Sequence, residues 1–352
     1  MALKHNSVTV CGHYGYQTNQ IDGQTIKTRV LKDAFVDFLG EANVQVVDST
    51  MFSRHPVRFF FEARKGFKEC SLVVMLPGVR GLHMFLPLFL YWKRKWSRQL
   101  QYVVIGGWLP DLLQRNRWLR NQCAQLDGIY VEMKAMAQAL SGLGLLNVIV
   151  IPNYRKFDYE SKNNFTLTTI PIKLVVYSRI FREKGIEDAI AALKKINEIK
   201  TAQPRAILDI YGPIQELYQV EFQRLLIYPQ YINYRGVLAP ESACNVLQQY
   251  DVLLFPTYYE GEGFPGTLLD AYIAGLPVIA SDWKYNSEVV EEGSTGLLFR
   301  THAVEEIVEH IETFIANPSK IMPMRLRCIE KAQHYHVEDV VKMLLSGSIK
   351  TN

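Results

Sequence analysis

Short runs of β-branched and other apolar residues alternate with longer amphipathic segments along almost the whole chain, and this rhythm constrains the fold more than any other feature. Runs that are apolar at consecutive positions, such as residues 72–76, are typical of strands buried on both faces of a parallel sheet. The segments between the runs carry apolar residues three and four positions apart, as at Ile186, Ile190 and Leu193, which predicts helices. The alternation therefore predicts an α/β fold of doubly wound units. The predicted strands occupy residues 7–11, 44–47, 72–76, 102–105, 128–131, 148–151, 173–177, 207–211, 232–234, 252–255, 277–280 and 296–299.

The length of the chain and one polar stretch divide this pattern into two halves. At roughly 150 residues per domain, 352 residues suffice for two domains. Residues 153–169 are rich in Asn, Lys, Ser and Thr, which indicates a linker. We predict a Rossmann-like domain over residues 1–155, a linker over 156–171 and a second Rossmann-like domain over 172–334, with a cleft between the domains. Because ligands of such sheets bind outside the carboxyl ends of the strands, the residues that follow each strand are the candidate site residues.

Composition excludes several classes of protein. Hydrophobic residues make up 48% and charged residues 21% of the chain, which is ordinary for a globular protein. The net charge of +4 is too small to indicate nucleic-acid binding, although residues 1–155 alone carry 19 basic against 10 acidic side chains. The longest apolar stretch, residues 82–92, is shorter than the about 20 residues of a membrane span, and the first residues lack the apolar segment of a secretory leader. Five scattered cysteines without a CxxC pair indicate reduced thiols and a cytoplasmic protein.

Two cations follow the strand predicted at residues 173–177. Arg179 and Lys184 lie in the loop that leads to the next helix. Two cations in such a loop can clamp a diphosphate, since Arg offers a planar fork of donors and Lys a mobile point charge. On spacing alone, a solvated basic loop is the simpler interpretation.

A glycine-rich loop follows the strand predicted at residues 252–255. Its glycines, which let the backbone approach a ligand closely, are Gly261, Gly263 and Gly266. A helix predicted from Thr267 onward would direct its first amides at that ligand, an arrangement that favours phosphates. Glu262 in the loop and Asp270 in the helix can each accept hydrogen bonds from hydroxyl groups, Glu262 from a sugar and Asp270 from a ribose. Either acid alone is commonly surface charge, but their position around the glycines and the helix start favours a binding site.

The motifs of the C-terminal half resemble those of a known family. Residues 262–281 resemble the E-x7-E region of the family 4 retaining glycosyltransferases of the GT-B fold, with Asp270 where the commoner pattern has a second Glu. Arg179 and Lys184 match the cationic pair of that family's R-x4-K-G motif. Residues 286–299 match its continuation, N-x-E followed by G-x-x-G-L-L-F. The resemblance is strong in the C-terminal half and weaker in the N-terminal half.

The resemblance implies a GT-B enzyme that moves a sugar from a nucleoside-diphosphate sugar to a glycan acceptor. It implies that Arg179 and Lys184 face the diphosphate and that Glu262 contacts the transferred sugar, so that these three are the catalytic residues. It also implies that Asp270 holds the ribose and that the loop after residue 234 meets the base. The implied donor-binding residues are Arg179, Lys184, Val237, Glu262, Gly263, Phe264, Pro265, Gly266, Thr267 and Asp270. A C-terminal helix within residues 335–352 is expected to pack back on the first domain.

The resemblance also bears on cofactors and mechanism. Fixed cations and helix-end amides stabilise the charge on a departing diphosphate more in the transition state than in the ground state. The chain has no Asp-x-Asp triplet, so we expect no metal or other cofactor. Members of the family retain the anomeric configuration. The sequence leaves open whether the donor is a UDP- or a GDP-sugar.

Two other functions stay open beside a transferase. One is a GT-B sugar-nucleotide epimerase or phosphorylase, and the other is a non-catalytic scaffold that binds nucleotide. The scaffold is suggested by Gly106 and Gly107, which stand where many family members carry a histidine close to the reacting sugar. His13 is a candidate substitute, although a lone histidine near a strand end is more often structural.

The loop after the first predicted strand resembles the N-terminal glycine-rich loop of the same family, in the version that ends G-Q-x-x-K-T-R. Its glycines suit a turn at the strand end, and its cations are expected to place charge near the cleft. The candidate residues of this loop are Gly12, Gly15, Gly23, Gln24, Lys27 and Arg29.

Residues 51–98 combine 10 basic side chains and two acidic ones with many aromatics. Phe59, Phe60 and Phe61 precede an apolar segment that ends in Trp92, Trp96 and a cluster of cations. This combination suits the headgroup region of an anionic membrane, and the alternative is a buried helix with a solvated cationic end. We expect peripheral association with the inner face of the cell membrane and an acceptor linked to a polyprenyl diphosphate, as in capsule, O-antigen or exopolysaccharide synthesis. Nucleic acid is not expected as a partner.

Overall fold

Two parallel β-sheets, each with its own helices, make up the structure. The computed structural model describes residues 7–16, 23–157, 165, 169–199, 203–228 and 230–347. The chain forms two units, one of Met1–Lys156 with Tyr335–Asn352 and the other of Phe157–His334. Most of the predicted linker, at residues 158–164 and 166–168, lies outside the described residues.

The N-terminal unit, within its described residues, is a six-stranded parallel sheet covered by helices. Its strands are β1 (Val8–Gly12), β2 (Val44–Asp48), β3 (Leu72–Met75), β4 (Gln99–Val103), β5 (Gly128–Val131) and β6 (Val148–Val150). They are arranged in the order β2-β1-β3-β4-β5-β6. The helices that connect them are α1 (Gly23–Leu39), α2 (Pro56–Glu69), α3 (Val79–Trp96), α4 (Leu109–Arg115), α5 (Arg117–Cys123) and α6 (Lys134–Gly142).

The C-terminal unit repeats this plan with a second parallel sheet of six strands among its described residues. The strands are β7 (Ile172–Tyr177), β8 (Ala206–Tyr211), β9 (Ile232–Tyr234), β10 (Val252–Phe255), β11 (Val278–Ser281) and β12 (Gly296–Phe299), in the order β12-β11-β10-β7-β8-β9. The helices are α7 (Ile186–Asn197), α8 (Gln219–Leu225), α9 (Pro240–Leu247), α10 (Gly266–Ile273), α11 (Asn286–Val289), α12 (Val304–Ala316) and α13 (Ile321–Ala332).

The predicted α/β class is confirmed, and a strand stands at each of the twelve predicted places within the described residues. The largest shift is in β4, which begins at Gln99 instead of residue 102. It begins there because Gln99 pairs with Leu72 of β3 in the parallel register. Gln101 of the same strand is buried and donates its amide to the carbonyl of Leu344 at 3.0 Å. A search for apolar runs misses the start of a strand in which two of the first three residues are glutamines.

The last helix, α14 (Val337–Ser346), belongs to the N-terminal unit. Its side chains Val340, Val341 and Leu344 are buried in the core that also holds Leu31 and Phe35 of α1. The apolar spacing of this helix thus closes one side of the N-terminal sheet.

Most aromatic side chains of α2 and α3 lie in the core. The buried ones are Phe59, Phe67, Phe85, Phe89 and Trp92, and their rings contact one another. For α3, the structure agrees with the alternative stated above for residues 51–98: α3 is a largely buried helix that ends in cations. Phe61 of α2 and Tyr91 of α3 remain exposed. Over the described ranges, none of the helices combines the length and the apolar character needed to cross a bilayer.

Candidate functional site

The carboxyl edge of the C-terminal sheet brings the predicted cations and the glycine-rich loop together. β7 and β10 are neighbours in the sheet, so the loops that follow them meet. The amide of Tyr258 donates to the carbonyl of Glu183 at 2.8 Å, which joins the two loops directly. Gly185 has a φ of 67°, and a Cβ atom there would lie 2.0 Å from the carbonyl oxygen of Pro256. Only glycine permits this approach of the two backbones.

Lys184 and Glu262 form a buried ion pair across these loops. The ammonium of Lys184 donates to Oε1 of Glu262, and each residue is 8% exposed. The hydroxyl of Thr257, which is fully buried, lies 3.1 Å from the same carboxylate oxygen. The sequence reasoning missed Thr257, although its place two residues after the end of a predicted strand is the signal that could have found it.

Arg179 is the exposed cation of the site. Its guanidinium lies over the rings of Phe181 and Tyr259, at 5.3 and 5.9 Å from their centroids. The ammonium of Lys184 lies 5.7 and 5.2 Å from the same two rings, so the rings hold both cations side by side. In the part of the chain that the structure describes, no carboxylate lies within ion-pair distance of Arg179. Sequence reasoning did not identify these two rings as supports for the cations.

The glycine-rich loop leads directly into α10. Gly263, Phe264 and Pro265 are buried, and the helix begins at Gly266. The hydroxyl of Thr267 donates to the carbonyl of Tyr177 at 2.9 Å and so ties the helix start to the end of β7. The first amides of α10 consequently belong to the same edge of the sheet as the two cations. Asp270 lies in the second turn of α10 and is half-buried.

The end of β11 holds the loop from the other side. The hydroxyl of Ser281 donates to the carbonyl of Thr257 at 2.5 Å, and the indole of Trp283 donates to the carbonyl of Tyr259 at 2.9 Å. Lys284 forms an ion pair with the exposed Glu260 at 2.6 Å. These contacts fix the backbone on which Glu262 stands.

Val237 is exposed and lies in the loop after β9, which is two strands away from β7 in the same sheet. The carbonyl of Gly236 accepts a hydrogen bond from the amide of Gly212 at 2.8 Å, which joins this loop to the end of β8. The loop predicted to meet the base therefore lies at the carboxyl edge of the sheet, as do the two cations.

A buried carboxylate, Asp209 of β8, holds the loop after β9 through Arg235. Its Oδ2 accepts from the hydroxyl of Tyr250 at 2.8 Å and pairs with Nε of Arg235 at 3.0 Å. Burial, followed by the hydrogen bonds to Tyr211 and Asp209, raises the pKa of Tyr250, so its hydroxyl stays protonated and donates. The sequence reasoning did not identify this network.

The N-terminal unit also carries an ion pair at the carboxyl edge of its sheet. Lys27 in α1 donates to Glu132, which directly follows β5, and the two residues are 4% and 6% exposed. The predicted cation Lys27 is therefore buried within the unit. Glu132 was missed, although it also stands directly after a predicted strand.

The other predicted residues of the N-terminal loop make contacts within the N-terminal unit. Gln24 donates to the carbonyl of Leu76 at 3.2 Å. Arg29 donates to the carbonyl of Tyr14 at 2.7 Å and lies over the ring of Tyr16.

The three predicted glycines of this loop differ in their surroundings. Gly12 ends β1 and lies against Thr28, Gly15 has a φ of 63°, and Gly23 begins α1.

The edge of the N-terminal sheet holds one histidine of interest, His13, which follows β1 and is half-buried. After β4 the chain turns at Gly106, with a φ of 88°, and the indole of Trp108 donates to the carbonyl of Ile105 at 2.9 Å. Across the described residues, no three His, Cys, Asp or Glu side chains are close enough together to hold a metal ion.

Comparison with known proteins identifies the family. The model of the family described as glycosyl transferases group 1 matches residues 159–335, half of the chain. The chain belongs to this family. The resemblance read from Arg179, Lys184 and the Glu262 loop is thereby confirmed, and all three lie in the matched region.

Curated relatives align with part of this glycosyltransferase-family chain. An uncharacterized glycosyltransferase of Methanocaldococcus jannaschii is 26% identical over 193 residues, which are 53% of this chain and 45% of the relative. The putative colanic acid biosynthesis glycosyltransferase WcaL of Escherichia coli is 24% identical over 51% of this chain and 45% of its own length. The chain thus spans about half the length of the curated relatives it matches.

A solved structure matches nearly the whole chain. HepE of Anabaena, in complex with UDP-glucose, has a TM-score of 0.74 to the present structure, with 15% sequence identity. The match covers 99% of this chain and 100% of HepE. At this identity the likeness shows the shared fold.

Proposed function

We propose that this protein is a retaining glycosyltransferase that moves a sugar from a UDP- or GDP-sugar to a glycan acceptor. The observation that carries the proposal is the exposed Arg179 beside the Lys184–Glu262 pair, at the edge of the sheet where α10 begins. Two cations and a helix start at one edge suit a diphosphate. Family membership supports the reaction class, and the complex of HepE with UDP-glucose supports a nucleotide-sugar donor.

Each charged group has a role that its chemistry permits. Arg179 and Lys184 stabilise the negative charge that develops on the diphosphate as the sugar leaves, and the amides of Gly266 and Thr267 add to this stabilisation. The carboxylate of Glu262 accepts hydrogen bonds from hydroxyls of the transferred sugar, and Asp270 accepts them from the ribose. Because the protein itself supplies this positive charge, we propose that transfer needs no metal or other cofactor.

Equilibrium binding tests the donor site. UDP, GDP, ADP, dTDP and CMP are titrated into the wild type and into the double variant Arg179→Ala with Lys184→Ala. We expect one nucleotide to bind and the double variant to lose about 100-fold or more in affinity, since two charge-assisted contacts are removed. Arg182→Ala is the matched control, because this cation of the same loop pairs with Glu221. Absence of wild-type binding to all five nucleotides and to UDP-glucose and GDP-mannose, or an equal loss in the control, would contradict the proposal.

We propose a lipid-linked glycan as the acceptor, as in capsule, O-antigen or exopolysaccharide synthesis at the inner face of the cell membrane. The similarity to WcaL, whose name is putative colanic acid biosynthesis glycosyltransferase, supports this setting. The surface that supports membrane contact is one face of α2, here named the α2 outer face: Val57, Arg58, Phe61, Arg64, Lys65 and Lys68. Val57 and Phe61 are 67% and 66% exposed, and cations surround them. Such a face suits the headgroup region of an anionic bilayer.

Vesicle binding tests the membrane part of the proposal. Phosphatidylcholine vesicles with and without phosphatidylglycerol are mixed with the wild type and with Val57→Ser plus Phe61→Ser. We expect binding only to the anionic vesicles, and a loss of about tenfold or more in the variant, since two apolar side chains no longer insert. Leu217→Ser removes a still more exposed apolar side chain, 92% exposed, from the other unit and serves as the control. Equal binding to both vesicle types would contradict this surface.

A further inference from the structure

The charges of the proposed donor site already satisfy one another in part. Lys184 donates to Glu262, and both side chains are largely withdrawn from solvent. Arg179, by contrast, is exposed and is supported only by aromatic rings among the described residues. A carboxylate of the protein therefore lies at the cation that a phosphate would approach.

Thr257 keeps Glu262 at this place. The amide of Tyr259 points at the Thr257 oxygen, at 3.3 Å, so the hydroxyl proton is available for a second partner. Oε1 of Glu262 lies 3.1 Å from that hydroxyl, nearer than the carbonyl of Glu183 at 3.3 Å. Because Thr257 is fully buried, the fold rather than solvent sets the arrangement of Thr257, Glu262 and Lys184.

From this geometry we propose that Glu262 makes the site discriminate an intact sugar nucleotide from a bare nucleoside diphosphate, an inference that rests on the proposed function. A diphosphate that approaches Lys184 must share it with the Glu262 carboxylate, and the two anions repel each other. The sugar of an intact donor brings hydroxyl groups that donate to this carboxylate and compensate for the lost share of Lys184. A bare nucleoside diphosphate brings no such donor.

The same asymmetry operates after transfer. Once the sugar has moved to the acceptor, the remaining nucleoside diphosphate faces the Glu262 carboxylate without a hydrogen-bond donor between them. The carboxylate returns to Lys184 and weakens the hold of the site on the product. Glu262 thus determines selectivity for the donor and speeds the release of the product.

Calorimetric titration of the Glu262→Gln variant without acceptor tests the inference. The probes are UDP with UDP-glucose and GDP with GDP-mannose, and the quantity compared is the ratio of the two dissociation constants within a pair. We expect the bare diphosphate to bind the variant about tenfold more tightly and the sugar nucleotide to gain nothing, because the repulsion and the sugar contact are both lost. Glu260→Gln is the matched control, since this exposed neighbour pairs with Lys284 instead.

A second pair of variants keeps the test valid if Glu262→Gln does not fold. Thr257→Val removes the hydroxyl that holds Glu262 and should move the ratio in the same direction by a smaller factor, whereas Thr257→Ser should keep it. An unchanged ratio in Glu262→Gln and in Thr257→Val, with normal binding by the wild type, would overturn this inference alone. If the wild type binds neither member of either pair, the proposed function fails and the inference fails with it.

Discussion

Both units place a lysine–glutamate ion pair at the carboxyl edge of a parallel sheet, yet the surroundings of the two pairs differ. In the N-terminal unit Lys27 and Glu132 are buried, and the nearby Arg29 is engaged by the carbonyl of Tyr14. In the C-terminal unit Lys184 and Glu262 lie beside the exposed Arg179 and a glycine-rich loop. A buried ion pair at the carboxyl edge therefore occurs in both units, and we propose only the C-terminal pair as part of a donor site. An accessible second charge and a close backbone approach distinguish the two.

The largest expected effect is on the buried pair of the N-terminal unit. Lys27→Met should lower the free energy of unfolding by about 3–5 kcal/mol, because Glu132 stays buried without this cation. Lys27→Met combined with Glu132→Leu should recover most of that loss, since no unmatched charge remains. Chemical denaturation followed by tryptophan fluorescence measures both. Lys184→Met is the comparison variant and should cost less, because Arg179, a second cation, lies over the same two aromatic rings as Lys184 and remains in the site. Equal costs at the two lysines would remove the distinction between the pairs.

The next largest effect on stability is expected at Gly185, at the carboxyl edge of the C-terminal sheet. Gly185→Ala should cost about 2–3 kcal/mol and weaken nucleotide binding, because its φ of 67° is strained for alanine and its Cβ meets the backbone of Pro256. Thermal melting and nucleotide titration check the two effects.

The corresponding substitution in the N-terminal unit should be milder and reversible. Gly12→Ala meets a side chain, with Cγ2 of Thr28 at 2.6 Å, and should cost about 1–2 kcal/mol. Adding Thr28→Ser removes that methyl group and keeps the hydroxyl that donates to the carbonyl of Gln24 at 2.8 Å. The double variant should melt within a few degrees of the wild type, and a lack of rescue would show that the contact with Thr28 is not the cause.

The smallest effect is chemical and leaves stability unchanged. The three cysteines of the N-terminal unit are buried, and burial raises the pKa of the Cys123 thiol to about 12. Cys244 in the C-terminal unit is only partly buried. At pH 8 a thiol reagent should therefore label Cys244 first, located by mass spectrometry, and label the others only after unfolding. Cys244→Ser should abolish the fast phase, and rapid labelling of Cys123 would contradict the burial of the N-terminal thiols.

Local pattern was sufficient for the strands and for part of the site. Runs such as residues 128–131 are apolar because both faces of the sheet are covered, so the sequence itself records their burial. Arg179, Lys184 and Glu262 could be named because they follow strands, and the carboxyl edge is where ligands of such sheets bind. The same rule, applied more widely, would have found Thr257 and Glu132.

Other features depend on contacts between distant parts of the chain. The sequence does not indicate that Lys27 meets Glu132, 105 positions away, or that Lys184 meets Glu262, 78 positions away. It therefore could not show that Lys27, predicted together with Arg29, and Lys184, predicted together with Arg179, are each paired with a carboxylate of the protein. The aromatic residues of α3 were ambiguous for the same reason, because an apolar segment followed by cations is compatible with both a core helix and a membrane surface.

The sequence by itself determined the α/β class, the places of the strands and the family, because alternating burial and the spacing of motif residues are local properties of the chain. Only the tertiary structure decided which charges are paired, which aromatic rings are buried and that Thr257 holds Glu262 at Lys184. The physical reason is that pairing and burial depend on the order of the strands in the sheet, which places β7 beside β10. No single segment of the sequence determines this order.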